Sequence, residues 1–454
     1  MQRAIVLIDG EHYPQVTAEA LRQISSDFDV VGAVCLGGTE KLACGSPLEV
    51  LGVPIVMGLD QLQAVEQAIS LYRPHRVIDL SDEPVLDYPK RFAIAARVLA
   101  LGVTYSGADF VFTAPSDTVS ISKPSISIIG TGKRVGKTGI SGFAARTLSR
   151  EFSPIVVTLG RGGPAEPEVV YGRQVEITAG YLLSLSVQGR HASSDHLENA
   201  LTSHVTTIGG RRCGGGLAGQ AYVSNVDRCA QIADAIPGNI VLFEGSGSAI
   251  PNVATDRRIL VVSAHQPLDT IAQYLGPLRI INSHLVALTM CEEPIASEHS
   301  IRAMEDAIRA TNPRARIVRT IFRPRPLSDV QGKRIVLCTT SSDAALPLMT
   351  RHLEETFGCS VVASTNRLSN RSALQADLAG FGDRGAHVVL TELKAAAVDV
   401  ATSWGIANGL DVAYMDNEPL PASSQYSLQE EILALARQAV EQHSRIHSAA
   451  SCVD

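Results

Sequence analysis

An apolar run over residues 125–129 passes directly into Gly130-Thr131-Gly132-Lys133-Arg134-Val135-Gly136-Lys137-Thr138, and an amphipathic stretch over 139–152 follows. No other feature constrains the fold as strongly, because a strand, a glycine-bearing loop and a helix in this order form a phosphate loop. Backbone N–H groups at the helix start face an anion there, and the helix dipole adds to the attraction. Lys137 can place a point charge on the β- and γ-phosphates of a nucleoside triphosphate, and the Thr138 hydroxyl can ligate Mg²⁺. The short Gly-Lys-Thr match occurs by chance elsewhere; its flanking strand and helix make it meaningful here. One position departs from the usual pattern: glycine is expected five residues before Gly136, but Thr131 stands there, with Gly130 one earlier.

Such a loop belongs to an α/β fold with parallel strands and crossover helices. The N-terminal residues repeat that alternation, with buried-strand patterns at 4–8, 30–36 and 76–80. A helical pattern over 60–73 carries Asp60 and Gln63 in capping-box spacing. At 454 residues the length predicts about three domains. We read a Rossmann-like parallel-sheet domain over 1–124, a P-loop NTPase core over 125–330 and a C-terminal α/β segment over 331–454 packed on that core. The first seam is Ser122-Lys123-Pro124, and the second is Arg323-Pro324-Arg325-Pro326, whose prolines break regular structure. In the last segment strands are expected at 334–338, 360–364, 386–391 and 411–415, and helices at 343–357, 372–380, 395–408 and 428–444.

Open parallel sheets bind ligands at the carboxyl ends of their strands. In the N-terminal domain those ends carry Asp9-Gly10-Glu11-His12, Gly37-Gly38-Thr39-Glu40-Lys41 and Asp79 followed by Asp82-Glu83. In the core, the strand at 155–159 ends in Gly160-Arg161-Gly162-Gly163-Pro164. An arginine held by glycines beside a phosphate loop can neutralise charge on a transferred phosphoryl group. The run from Thr206 to Gly219 contains Arg211-Arg212-Cys213-Gly214-Gly215-Gly216. It reads as a loop in which paired arginines and backbone N–H groups cradle an anion. Upstream, Ser194-Asp195-His196-Leu197-Glu198 reads as a helix start with Asp195 and Glu198 in a capping box.

The net charge of −7 gives no global pull toward nucleic acid or anionic membrane, so a polyanionic ligand needs a local cluster of arginine and lysine. The eight cysteines are scattered, with no Cys-x-x-Cys pair, which argues against a zinc site and a disulfide framework. The N-terminal apolar run is too short for a signal peptide, and no stretch is long enough to span a bilayer. These features predict a cytoplasmic protein. Asn-Lys-x-Asp, which reads guanine, does not occur, and the expected nucleotide is ATP.

The loop Gly-Thr-x-x-x-Val-Gly-Lys-Thr resembles that of dethiobiotin synthetase and its relatives among the P-loop ligases. In those relatives a strand ending in Glu-Gly-Ala-Gly brings a carboxylate to the metal. Val241-Leu242-Phe243-Glu244-Gly245-Ser246-Gly247 is similar, which makes Glu244 the implied Mg²⁺ ligand beside Thr138; the alternative is a turn after a buried strand. Across the first two segments, and on through Thr391-Glu392-Leu393-Lys394-Ala395, the chain resembles the cyclic 2,3-diphosphoglycerate synthetase family. The residues that carry this are Leu7–Tyr13, Gly37–Lys41, the phosphate loop, 159–164, Ser194-Asp195-His196, 211–216 and 243–247. The resemblance implies a homodimeric ligase that uses ATP to close an anhydride between the two phosphates of 2,3-bisphosphoglycerate, releasing ADP and phosphate. It implies that Lys137, Arg161 and Glu244 act on the transferred group. Asp195, His196, Arg211, Arg212, Gly214 and Gly215 would hold the acid, with Glu11 and His12 covering it. Two other readings stay open: a P-loop ligase that makes an acyl phosphate, and a non-catalytic ATP-dependent switch.

Overall fold

The computed structural model describes residues 1–38, 48–58, 60–115, 118–382, 384–422 and 426–450. Thr39, Glu40 and Lys41 lie outside the described residues. The N-terminal strands are β1 (Gln2–Ile8), β2 (Phe28–Cys35), β3 (Ile55–Met57), β4 (Arg76–Asp79), β5 (Thr104–Ser106) and β6 (Val111–Phe112). They form a sheet in the order β3-β2-β1-β4-β5-β6, parallel except for the β5–β6 pair. Ile5 and Leu7 of β1 pack with Val65 and Ala68 of the helix Gln61–Tyr72 and with Ile94 and Val98 of the helix Tyr88–Ala100. The Asp60 carboxylate caps the first of these helices by accepting from the Gln63 N–H at 2.8 Å. Leu275 and Leu278 from the middle of the chain complete the same apolar cluster, so this domain is seated on the core.

The other strands are β7 (Ser125–Gly130), β8 (Pro154–Gly160), β9 (Glu168–Tyr171), β10 (Thr206–Cys213), β11 (Val223–Ser224), β12 (Ile240–Glu244) and β13 (Arg257–Ser263). The chain continues with β14 (Leu285–Thr289), β15 (Arg316–Pro326), β16 (Arg334–Cys338), β17 (Ser360–Thr365), β18 (Val388–Glu392) and β19 (Asp411–Pro421). Among the described residues they make one sheet of 13 strands, β11-β10-β8-β12-β7-β13-β14-β15-β19-β18-β16-β17, with β9 on β10. From β10 to β15 neighbouring strands are parallel, and so are β19, β18, β16 and β17. The two parallel blocks meet at the antiparallel pair β15–β19.

The prolines at 324 and 326 do not end regular structure. Residues 316–319 of β15 pair with β14, and 320–326 pair with β19, where Pro324 lies opposite Asn417 and Pro326 opposite Met415. Among the described residues, the other edge of β15 has no strand beside it beyond Arg319. Two prolines at alternate positions turn their missing N–H groups the same way, which an edge tolerates.

The segment expected to be a glycine-rich cradle begins as strand β10. Its glycines allow close packing: a Cβ on Gly209 would lie 2.2 Å from the His196 ring, and one on Gly210 would lie 2.5 Å from Cys229 Sγ. The helix Asp195–Ser203 has Ser194 as N-cap without a side-chain cap bond, so the capping box read there does not form. The last helix, Leu428–Ala450, returns to the phosphate-loop block, where Ile432, Leu435, Ala436 and Ala439 pack with Ile126, Ile140, Ala144 and Ile259.

Candidate functional site

The phosphate loop joins β7 to the helix Lys137–Leu148. Gly136 has φ 89°, in the left-handed region, and a Cβ there would lie 2.3 Å from the Phe322 ring of β15. Only glycine meets both demands. Thr131, where the pattern departs from the usual spacing, is buried, and its hydroxyl bonds Gln266 Oε1 at 2.5 Å. The Lys137 stem folds over Gly130, and its Nζ donates to the Gly132 carbonyl at 3.1 Å. Burial lowers the Lys137 pKa, while the carboxylates of Glu244 and Asp195 work against that shift.

Glu244 ends β12, is buried, and accepts from Asn199 Nδ2 at 2.9 Å. Burial, and then repulsion from Asp195, push its pKa up to about 7. Asp195 stands at the start of its helix, with its Oδ2 3.2 Å from where a Cβ on Gly160 would be. Two carboxylates and the Thr138 hydroxyl lining the same cleft as Lys137 are an oxygen donor set that suits a hard divalent cation. The residues present fit Mg²⁺.

These groups form one wall of a cleft of about 830 Å³. The rest of the lining comes from the C-terminal block, at the carboxyl ends of β16, β17 and β18. It includes Thr340, Ser341, Asn366, Arg367, Glu392 and Lys394. Glu392 accepts from the hydroxyls of Thr339 at 2.5 Å and Thr340 at 2.7 Å, and from Asn417 Nδ2 at 3.3 Å. Lys394 Nζ donates to both carboxylate oxygens of Glu198 at 2.8 Å, joining this wall to the helix Asp195–Ser203. Burial opposes the charge on Lys394, but Glu198 and Glu392 outweigh it and hold its pKa above the ordinary value. Arg146, from the phosphate-loop helix, and Arg325 both pair with Asp416 and Glu418 of β19. The walls are therefore tied together by charge at several points.

Of the residues singled out in the sequence, Lys133, Arg134, Gly136, Lys137, Thr138, Arg161, Asp195 and Glu244 line this cleft together. Others do not. His196 is buried against β10, 3.6 Å from Glu168, and burial lowers its pKa. Arg211 turns to the carbonyls of Gly163 at 3.1 Å and Pro164 at 2.9 Å, outside the cleft. Arg212 bonds the carbonyls of Gly214 at 2.8 Å and Ser246 at 2.6 Å, and lines a second cavity of about 380 Å³ that meets the first at Gly245 and Ser246. Gly214 and Gly215 lie in the exposed turn after β10.

Glu11 and His12 lie at the end of β1, in the other sheet, and line neither cavity. The buried Asp9 organises their turn. Its carboxylate accepts from the N–H groups of Glu11 at 3.0 Å, His12 at 3.3 Å and Asp82 at 2.5 Å, and it meets His12 Nδ1 at 2.8 Å. Asp9→Ala strands three backbone donors, so we expect a loss of about 1–3 kcal/mol in the stability of this sheet. Hydrogen exchange at the amides of Glu11, His12 and Asp82 is the measurement; unchanged protection there would remove Asp9 from this role.

The C-terminal wall is what the sequence reading missed as a site. Its signal is the run of polar residues directly after three parallel strands: Thr339-Thr340-Ser341-Ser342-Asp343, Thr365-Asn366-Arg367 and Glu392-Leu393-Lys394.

A buried strand feeding a phosphate loop, a helix start aimed at the ligand and an acidic strand end beside the loop lysine define a P-loop nucleotide-binding protein. The chain belongs to the cyclic 2,3-diphosphoglycerate synthetase family. That family's P-loop domain matches residues 125–321, its N-terminal domain residues 3–113 and its C-terminal domain residues 326–418. The cyclic 2,3-diphosphoglycerate synthetase of Methanothermus fervidus is 44% identical over 451 residues, covering 97% of this chain and 98% of its own. The protein of the same name from Thermococcus kodakarensis is 48% identical over 418 residues, covering 92% and 94%. Among solved structures, LpxK from Aquifex aeolicus in complex with ATP aligns with a TM-score of 0.44 at 11% identity, over 77% of this chain and 96% of that one.

Proposed function

We propose that this chain closes an anhydride between the two phosphates of 2,3-bisphosphoglycerate, using ATP and releasing cyclic 2,3-diphosphoglycerate, ADP and phosphate. The observation that carries the reading is the single cleft in which a phosphate loop faces a second polar wall, in a chain of this family. An oxygen of one substrate phosphate attacks the γ-phosphorus of ATP, and the bond from that phosphorus to ADP breaks. The neighbouring phosphate then attacks the substrate phosphorus that carries the transferred group. Its bond to the bridging oxygen breaks, inorganic phosphate leaves with that oxygen, and the ring is closed.

Lys137 and Arg161 offset negative charge on the transferred group. Thr138 and Glu244 would hold Mg²⁺, with Asp195 close by; when bound, the ion neutralises charge on the β- and γ-phosphates. Two phosphates and a carboxylate repel one another, so fixing them close together in a cationic cleft converts binding into proximity. The reading takes residues 1–124, 125–330 and 331–454 as three units of a cytoplasmic homodimer. Six free cysteines among the described residues, with no disulfide, support a reducing compartment.

The test is phosphorus NMR of the purified protein with ATP, Mg²⁺ and 2,3-bisphosphoglycerate. The expected result is a pair of ring-phosphate resonances growing in step with ADP and phosphate. ATP hydrolysis that needs no acid, or efficient turnover of 3-phosphoglycerate, would overturn the cyclisation.

A further inference from the structure

The cations of the cleft fall into two sets. Lys133, Arg134, Lys137 and Arg161 stand on the nucleotide side. Of those away from the phosphate loop, Arg323 is held by Glu292 through two contacts of 2.6 Å, and Lys394 is held by Glu198 at 2.8 Å. Arg367 also lines the cleft, and among the described residues its guanidinium makes no ion pair and no side-chain hydrogen bond.

The loop that carries Arg367 is anchored all round. The Arg367 N–H donates to Thr365 Oγ1 at 3.1 Å, and its carbonyl accepts from the Asn370 N–H at 2.7 Å. Leu368 donates from its N–H to the Thr339 carbonyl at 3.3 Å and is buried in the C-terminal core. Thr365 Oγ1 bonds Asp377 at 2.6 Å, and Asn366 Nδ2 bonds Asp343 at 2.8 Å. Thr365 and Asn366 beside it are engaged, while Arg367 itself is exposed on a fixed base. A charge presented this way loses little backbone freedom when it binds.

We propose that Arg367 is a specificity-determining contact for the acid, taking one of its phosphates, with the Thr340 and Ser341 hydroxyls beside it on the same wall. The proposal rests on the reading of the second substrate as a bisphosphorylated acid. The geometry favours it over the arginine pair at the end of β10. A triphosphate held by the phosphate loop presents its γ-phosphate to the cleft, and in-line attack needs the acceptor on the side away from the leaving ADP. The C-terminal wall lines the same cleft as that loop, whereas Arg211 lies outside the cleft and Arg212 lines the smaller cavity. The carboxylates nearest in the lining form no ion pair with Arg367: Asp343 accepts from Asn366, and Glu392 accepts from two hydroxyls and Asn417.

The test is calorimetric titration of 2,3-bisphosphoglycerate, and separately of ATP with Mg²⁺, into the full-length wild type, Arg367→Ala and Arg367→Lys. Steady-state kinetics run on the same samples. Guanidinium–phosphate contacts are bidentate and charge-assisted, so Arg367→Ala should weaken binding of the acid about tenfold or more. The acid's KM should rise with it, the ATP titration should shift less than about twofold, and lysine should restore part of the loss. Equal titrations of the acid into wild type and Arg367→Ala, including no binding to either, overturn the proposal. So does a loss confined to ATP, or an intact Arg367→Ala beside Arg211→Ala and Arg212→Ala variants that lose the acid. Wild-type turnover of the bisphosphate tests the underlying reading separately.

Discussion

Lys137→Ala is expected to lower kcat by about 10²–10³ or more while leaving the protein folded. The size follows from removing a preorganised charge aimed at the group in transfer, inside a cleft where water screens little. Folding should survive because the ammonium is not an asset to the apo protein. Burial already lowers its pKa, and its hydrogen bond goes to one backbone carbonyl, that of Gly132. ADP release and a thermal melt on the same preparation check both halves. A folded variant with near-normal turnover would remove the phosphate loop from the mechanism.

Glu244→Gln should separate two effects that share one side chain. Buried beside Asp195, the carboxyl titrates near 7 in the folded chain, far above the ordinary range for glutamate. A raised folded-state pKa means that ionisation costs stability, and the cost grows as the pH rises from the unfolded value through about 7. Below the unfolded pKa it vanishes. The Gln variant, which keeps an acceptor for Asn199, should therefore be more stable than wild type at pH 8, by on the order of 2–3 kcal/mol without ligands, and no more stable at pH 4. With ATP present the order reverses in function: turnover should fall about 10²-fold and the response to Mg²⁺ should flatten. In the wild type, protons and metal compete for the carboxylate, so apparent Mg²⁺ affinity should strengthen as the pH approaches 7 and level off above it. Melts at two pH values with and without Mg²⁺ give both readouts, and an unchanged metal requirement would make Glu244 a strand-end turn residue.

What the sequence made legible was local. The phosphate loop is one strand, one turn and one helix in succession, and the Asp60–Gln63 cap spans a single helical turn. What it hid depends on residues far apart in the chain. Gly209 and Gly210 resembled a loop because glycine weakens strands, yet His196 and Cys229 press on them from helices before and after β10. Asp195 and His196 are neighbours in sequence, but successive helix residues face different ways, so one lines the cleft and the other packs against β10. The second wall was hidden most deeply. Thr340, Asn366 and Arg367 carry the composition of ordinary turns, and only the shared sheet, joined at β15–β19, brings them into one cleft with Lys137.

The return of the last helix to the phosphate-loop block has a consequence for biosynthesis. Residues 125–321 bring the phosphate loop and its sheet out of the ribosome while Leu428–Ala450, which covers Ile126, Ile140 and Ile259, is not yet made. Until that helix arrives, part of the nucleotide-binding core presents an apolar face, the kind of surface that holdase chaperones capture and that drives nascent chains to aggregate. The phosphate loop thus emerges well before the helix that completes its core. A nonsense change after residue 422 would spare every residue of the cleft and still leave a chain that quality control removes.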